Sequence, residues 1–226
     1  KISDNRLFGA YTMMALSFSY AHLGMFSECE KHLNSAQGIF KEFNNLFFLG
    51  KVNVLYGMKY FNEGNFNKAI SCYEDGIDKI QLDEAREFVI IHSIELIHVL
   101  IYVKKHDMAL KYVDRCRALI QKTSDLDNEY KILIESMEFY VNTLQKNGNM
   151  EKLEQYYVNM KKTPDVYYLI WYYLSRSFSD MDKVHEAEEC MLYAKKLLIK
   201  EGNKISNPSH RKSFINNLIL HRALVN

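Results

Sequence analysis

Proline and glycine are scarce in this chain, and their scarcity bears on its fold class. Only two of the 226 residues are proline, Pro164 and Pro208, and only nine are glycine. A compact β protein needs more turn-forming residues than these. Because a proline inside a helix costs about 3 kcal/mol, long stretches without proline favour helices. The composition therefore predicts an all-α protein, and its 48% of hydrophobic residues suffices for a sizeable core.

The chain also lacks a surplus of charge and an apolar run of membrane length. Its 29 basic and 28 acidic residues give a formal net charge of +1, so we expect neither nucleic acid nor a membrane as a partner. The densest apolar stretch, residues 88–103, is interrupted by His92, Ser93, Glu95 and His98. It is also shorter than the roughly 18 residues of a membrane span.

Paired cysteines are missing as well. Cys29, Cys72, Cys116 and Cys190 lie 43, 44 and 74 residues apart, without a CxxC pair. This spacing argues against a disulfide framework or a zinc site and favours a reduced, cytoplasmic protein. Each cysteine falls on or beside a predicted helix-packing stripe, so we expect it to pack in the core rather than to react.

The chain also lacks the sequence motifs of common catalytic and cofactor sites. The chain contains no GxGxxG, GxxxxGK[ST], HExxH or GxSxG pattern. His92 and His98 are six positions apart, which places them on different faces of a helix and not at the i, i+4 spacing of a shared metal. We therefore expect no enzymatic activity, no cofactor and no metal, with an enzyme of unrecognised site as the third hypothesis.

What the chain does contain is a repeated helical pattern. Three segments, Leu23–Cys29, Glu63–Ala69 and Asn147–Leu153, place a glycine-containing turn before an apolar residue, with a small or apolar residue three positions later. Segments 105–109 and 182–187 are divergent copies. Each copy opens a helix with an apolar stripe at i, i+4 and i+7. The stripes are Cys29, Leu33 and Ala36; Ala69, Tyr73 and Gly76; Ala109, Val113 and Cys116; Leu153, Tyr157 and Met160; and Ala187, Met191 and Ala194.

A first helix precedes each turn, and the clearest one carries Trp171, Leu174, Ser175 and Phe178. Together with the second-helix stripes, this order of aromatic, leucine, small residue and aromatic resembles the tetratricopeptide repeat family over nearly the whole chain. The family's usual proline after the second helix is missing, and most repeats are longer than its usual 34 residues. Longer two-helix repeats of the HEAT kind are the alternative.

The resemblance implies an α-α superhelix, a solenoid of about five helical hairpins with a C-terminal capping helix. We expect a single domain over residues 1–226, and the start at Lys1 predicts a piece of a longer protein. The predicted hairpins span residues 4–43, 46–82, 84–122, 126–161 and 165–201, and the predicted cap spans residues 207–225.

The tail carries a second resemblance. Residues 207–217, followed by residues 220–222, look like the end of the tetratricopeptide regions of large bacterial signalling proteins, which join a kinase, cyclase or ATPase module to a repeat array. In physical terms Asn207 can cap a helix whose first turn holds Pro208. The apolar residues behind it can then cover the open end of the last hairpin.

In this family the first helices line a concave face, which we take as the candidate binding site. Its predicted outward residues are Tyr11, Met14, Phe18, Val54, Met58, Phe61, Ile91, Ile94 and His98, with the more polar Asn142 and Arg176 in the last two hairpins. Such a surface suits a protein or peptide segment, such as an amphipathic helix, or another domain of the same protein. The alternative is that these residues are core.

Two functions follow from these expectations. The leading hypothesis is a non-catalytic protein-binding module, a scaffold or regulatory region of a multidomain bacterial signalling protein. The alternative is the peptide-sensing domain of a cytoplasmic transcriptional regulator of the quorum-sensing type, which needs a concave pocket with a few polar anchors.

Overall fold

A computed structural model describes residues 2–80, 85–123 and 128–225. All regular structure within these ranges is helical, which confirms the predicted all-α class. The twelve helices of the described ranges are α1 (Ile2–His22), α2 (Phe26–Glu42), α3 (Leu46–Asn62), α4 (Phe66–Lys79), α5 (Arg86–Tyr102), α6 (His106–Ile120), α7 (Asn128–Leu144), α8 (Met150–Met160), α9 (Tyr168–Asp180), α10 (Val184–Asn203), α11 (Pro208–Asn216) and α12 (Ile219–Val225).

The helices pack as consecutive hairpins that form an α-α superhelix. The first helices α1, α3, α5, α7 and α9 contact one another in this order and form the inner layer, while α2, α4 and α6 each contact the first helix of the next hairpin. Predicted hairpin limits at 82, 84 and 126, and the chain ends at 1 and 226, lie outside the described residues. None of the described helices is both long and apolar enough to cross a membrane.

The turns within the hairpins share one backbone feature. Gly24, Gly64, Lys104, Lys146 and Asp182 have φ angles of +70°, +81°, +61°, +61° and +59°, and each lies just after the first helix of its hairpin. A left-handed residue at this position lets the next amide groups bond back to the last carbonyl groups of the helix. The repeat is therefore visible in the backbone even where the sequence has lost its glycine.

The hairpins close where small residues meet large ones. A Cβ atom added to Gly57 on α3 would lie 2.8 Å from the ring of Tyr73 on α4. In the last hairpin the hydroxyl of Ser175 donates a hydrogen bond of 2.8 Å to the carbonyl oxygen of Ala187. The predicted stripe residues are buried except Met191, which is half-buried. Local spacing in the sequence thus determines how each pair of helices meets.

The cap consists of two short helices, where the sequence predicted one. The side chain of Asn207 accepts hydrogen bonds from the backbone N–H groups of Ser209 and His210, and Pro208 occupies the first turn of α11, as the sequence predicted. Phe214 and Ile215 lie against Gly202 at the end of α10. The cap therefore covers the C-terminal end of the last hairpin.

The same cap also reaches the beginning of the chain. The Asn217 amide nitrogen donates a hydrogen bond of 2.9 Å to the carbonyl oxygen of Gly24, in the turn between α1 and α2. The backbone N–H of Ile219 donates one of 2.8 Å to the side-chain oxygen of Asn62, at the end of α3. The superhelix thus closes on itself, with its inner layer around a central space.

Candidate functional site

The inner helices and the cap enclose a cavity of about 810 Å³. Its wall contains residues of α1, α3, α4, α5 and α7, of the beginning of α9, of the end of α10 and of both cap helices. A volume between about 300 and 1,000 Å³ is typical of pockets that bind small ligands. The closure of the superhelix therefore turns its concave face into a pocket.

The apolar part of the wall includes six of the residues predicted for the concave face. Phe18 contributes from α1, and its side chain is 50% exposed. The others come from α3 and α5, so that three consecutive hairpins meet here. The six residues are Phe18, Met58, Phe61, Ile91, Ile94 and His98.

The other predicted residues lie elsewhere. Tyr11 packs against Phe40 and Phe48, with ring centroids 5.6 and 4.5 Å away, and Met14 contributes to the same hydrophobic cluster between the first two hairpins. Val54 is in the core, 1% exposed. These three positions face neighbouring helices, although the sequence predicted them on the concave face. The hairpins pack so closely that the inner side of a first helix also contacts other helices.

Asn142 and Arg176 are also outside the cavity wall. The backbone carbonyl of Asn142 accepts a hydrogen bond from the N–H of Asn147 at the end of α7. The guanidinium of Arg176 is exposed and lies over the ring of Tyr140, 5.9 Å from its centroid. The polar anchors of the cavity are therefore different residues from those expected.

The polar part of the wall is acidic. Glu95 of α5 is half-buried, with its carboxylate 3.2 Å from Nδ1 of His92. Glu129 and Glu201 add two more carboxylates, and Lys204 is the single lysine of the lining. The Lys204 ammonium group donates to both carboxylate oxygens of Glu201, at 2.6 and 2.8 Å. The lining therefore contains more carboxylates than ammonium groups, and its one ammonium group is already paired with Glu201.

Three histidines of the lining do not compensate this charge. Burial lowers the pKa of His98 and of His221 to about 4. The pKa of His22 is also lowered, chiefly by the surrounding protein, although Glu95 partly opposes the shift. Since neutral histidines predominate at pH 7, they add no positive charge to the lining.

Two residues show that the cavity is both deep and open to water. Tyr167 is 39% exposed, yet desolvation by the surrounding protein raises the pKa of its phenol to about 12. His22 is likewise exposed and has a shifted pKa of the same origin. Exposure and desolvation occur together only where a side chain lines a concavity, so these groups are available to a ligand inside it.

A chain of hydrogen bonds links this wall to the cap. His221 donates from Nδ1 to the carbonyl oxygen of Phe214 at 2.7 Å. Because the imidazole is neutral, its Nε2 then accepts the hydroxyl proton of Tyr168, at 2.5 Å. The hydroxyl of Tyr167 lies 3.3 Å from that of Tyr168. A ligand that contacts Tyr167 thus contacts one end of a network that holds α12 in place.

Sequence reasoning missed this C-terminal half of the wall. Tyr167, Tyr168, Glu201, Lys204 and His221 lie far along the chain from the apolar residues they face. No spacing or motif marks them, because only closure of the superhelix brings them to the site. Among the described residues no group of three or more His, Cys, Asp or Glu side chains could hold a metal ion.

Comparisons with protein-family models, with curated proteins and with solved structures find no match to this chain.

Proposed function

We propose that this chain is a binding module of tetratricopeptide type whose central cavity takes a short peptide segment. The observation that carries the proposal is the cavity itself, about 810 Å³ in volume, whose wall combines apolar side chains from the hairpins and the cap with a few charged and hydrogen-bonding groups. A mostly apolar concavity with a few convergent polar groups is the usual form of a ligand site.

The shape of the cavity favours a short segment over a long helix. The concave face is crossed by the cap, since Asn217 and Asn62 tie α11 and α12 to the first two hairpins. An amphipathic helix needs an open groove several turns long. The peptide-sensing alternative therefore gains support over an open scaffold groove, while the bacterial signalling context rests on the tail resemblance alone.

The charge of the lining indicates the chemistry of the peptide. Glu95, Glu129 and Glu201 line the cavity with Lys204 as the single lysine of the lining, and Lys204 is paired with Glu201. The charge preference therefore rests on Glu95, whose carboxylate lies beside His92. A ligand with apolar side chains and one positive group, either a basic side chain or the amino terminus, complements this wall. Tyr167 and His22 supply hydrogen bonds beside the charge.

A thermal-shift screen of short peptides tests the proposal. A peptide that binds only the folded protein and is present at 100 times its dissociation constant stabilises the protein by about 2.7 kcal/mol, which raises the melting temperature by roughly 5–10 °C. We expect such shifts from apolar peptides with one positive charge. A complete lack of stabilisation across a diverse library would contradict the proposal.

Charge selectivity is tested with two glutamates of the same helix. Glu95→Gln removes the carboxylate from the cavity and should weaken binding of a positively charged peptide by about tenfold, the value of one charge-assisted hydrogen bond. Glu87→Gln is the control, because Glu87 is exposed in the first turn of α5, outside the cavity wall. Equal effects of the two substitutions on peptide binding would show that the Glu95 carboxylate does not contribute to charge selectivity.

A further inference from the structure

The outer face of α10 exposes an apolar stripe. Val184, Leu192 and Ile199 are 64%, 68% and 49% exposed, and Glu188 and Lys195 lie between them. At 100° per residue the five side chains fall within an arc of about 80°, along about 22 Å of helix. Single exposed apolar residues are normal on a protein surface, whereas three aligned on one helix face indicate an interaction surface.

The stripe lies on a face of α10 that the described part of the chain leaves exposed. The earlier second helices α2, α4 and α6 each contact the first helix of the next hairpin. α10 is followed instead by the two cap helices α11 and α12, and Phe214 and Ile215 of α11 pack at Gly202, beyond the stripe. The end of α10 is capped, while the region from Val184 to Ile199 is left uncovered.

The pattern of the stripe is complementary to itself. If α10 pairs with an antiparallel copy about a point between Met191 and Leu192, residues equally distant from that point face each other. Val184 then faces Ile199 of the second copy, and Glu188 faces Lys195. The two Leu192 side chains meet near the axis.

The charges complete the argument for this pairing. Within the described part of the chain the side chain of neither Glu188 nor Lys195 takes part in a hydrogen bond or an ion pair. In the antiparallel arrangement each finds the opposite charge, and the two-fold symmetry makes the ion pair twice. A parallel arrangement would place like charges side by side. We infer that two copies of this chain associate through α10, as a two-fold symmetric dimer with antiparallel helices.

The contact is small, so the dimer is expected to be weak. One helix face of this length buries less surface than standard interfaces, and complexes of that size dissociate readily. Sedimentation equilibrium from low micromolar to several hundred micromolar concentration should therefore show a reversible shift from one copy to two. A wild-type protein that stays monomeric over this range would overturn the inference.

Charge reversal tests the arrangement of the two helices. Glu188→Lys and Lys195→Glu each convert both ion pairs into like-charge pairs, and each should weaken self-association by roughly tenfold to thirtyfold. An equimolar mixture of the two variants restores both pairs, because the new lysine of one variant then faces the new glutamate of the other, and the two unchanged residues face each other. We expect the mixture to associate about as well as the wild type. Failure of the mixture to associate would overturn the antiparallel pairing.

Two further variants separate this surface from a general effect of charge. Leu192→Lys places a charge at the axis and should abolish association, whereas Val158→Lys changes a side chain of α8 that is 54% exposed and lies outside the stripe. Circular dichroism should show unchanged helicity for both, since both side chains are exposed. Loss of association in Val158→Lys, or its retention in Leu192→Lys, would place the interface elsewhere.

Discussion

The side chain of Asn217 donates a hydrogen bond to the carbonyl oxygen of Gly24, 193 positions earlier in the chain. Gly24 has a φ angle of +70° and lies in the first hairpin turn, while Asn217 follows the first cap helix. The contact therefore joins the two ends of the superhelix. Together with the hydrogen bond between Ile219 and Asn62, it ties the cap across the concave face, which becomes a cavity that is still open to water.

Closure can be measured with a pair of glycine substitutions. Gly24→Ala adds a Cβ atom that would lie 2.8 Å from Cβ of Asn217 and 2.9 Å from the carbonyl oxygen of Ser213. Gly64 has a similar φ of +81°, but nothing lies within 4 Å of its added Cβ. We expect Gly64→Ala to cost about 1–2 kcal/mol from backbone conformation alone. Gly24→Ala should cost about 1–3 kcal/mol more, because the cap must move.

Urea unfolding of the two variants checks this difference. Because Gly24 and Gly64 have similar backbone conformations, Gly64→Ala is the control for backbone strain. The additional loss of unfolding free energy in Gly24→Ala then measures the contact with the cap. Equal destabilisation by both substitutions would show that the cap does not press on the first turn.

Acid should weaken the fold through its buried histidines. The folded-state pKa values of His98 and His221, about 4, lie below the unfolded value of about 6.5, because burial disfavours the charged form. Between these pH values the unfolded chain binds protons that the folded chain does not. The free energy of unfolding therefore falls as the pH drops below about 6.5, and by pH 5 each histidine has removed about 2 kcal/mol.

The contribution of His221 to this pH dependence can be measured by substitution. Unfolding free energies at pH 7 and pH 5 should differ by about 2 kcal/mol less in His221→Gln than in the wild type. His185→Gln, on the exposed face of α10, is the matched control for the change of residue type. A pH dependence of His221→Gln equal to that of the wild type would contradict the assignment.

The cysteines should differ sharply in reactivity. Burial raises the pKa of the Cys29 thiol to about 11 and those of Cys116 and Cys190 to about 12. Cys72 is half-buried, the most accessible of the four. We expect a disulfide reagent to modify the native protein through Cys72 and all four thiols in urea. Cys72→Ser should then abolish the native reaction, and residual rapid labelling would show that another cysteine is exposed.

The sequence predicts best those structural features that depend on residues close together along the chain. Ala69, Tyr73 and Gly76 recur at i, i+4 and i+7, and all three are buried in the hairpin as expected. Val54, in contrast, was assigned to the concave face. Its Cγ2 atom lies only 2.8 Å from the position that a Cβ of Gly76 would occupy. Gly50 and Gly76 let α3 and α4 approach so closely that Val54 becomes part of the core.

The site was predictable only in its apolar half. Phe18, Met58 and Ile94 follow from the position of each first helix in its own hairpin. Tyr167 and His221 do not, because their place at the cavity depends on the rotation accumulated over five hairpins. Small changes in each packing angle sum along a solenoid, and no local pattern encodes their total.

Calorimetric titration of a peptide identified in the screen tests the central cavity most directly, with two phenylalanines of α1 as a matched pair. Phe18 lines the cavity, whereas Phe8 of the same helix is 73% exposed and outside it. Truncating an aromatic side chain that contacts a ligand typically costs more than 1 kcal/mol of binding free energy. We expect one peptide per chain, at least about tenfold weaker binding in Phe18→Ala and unchanged binding in Phe8→Ala. Equal affinity of the wild type and Phe18→Ala would show that the peptide binds elsewhere.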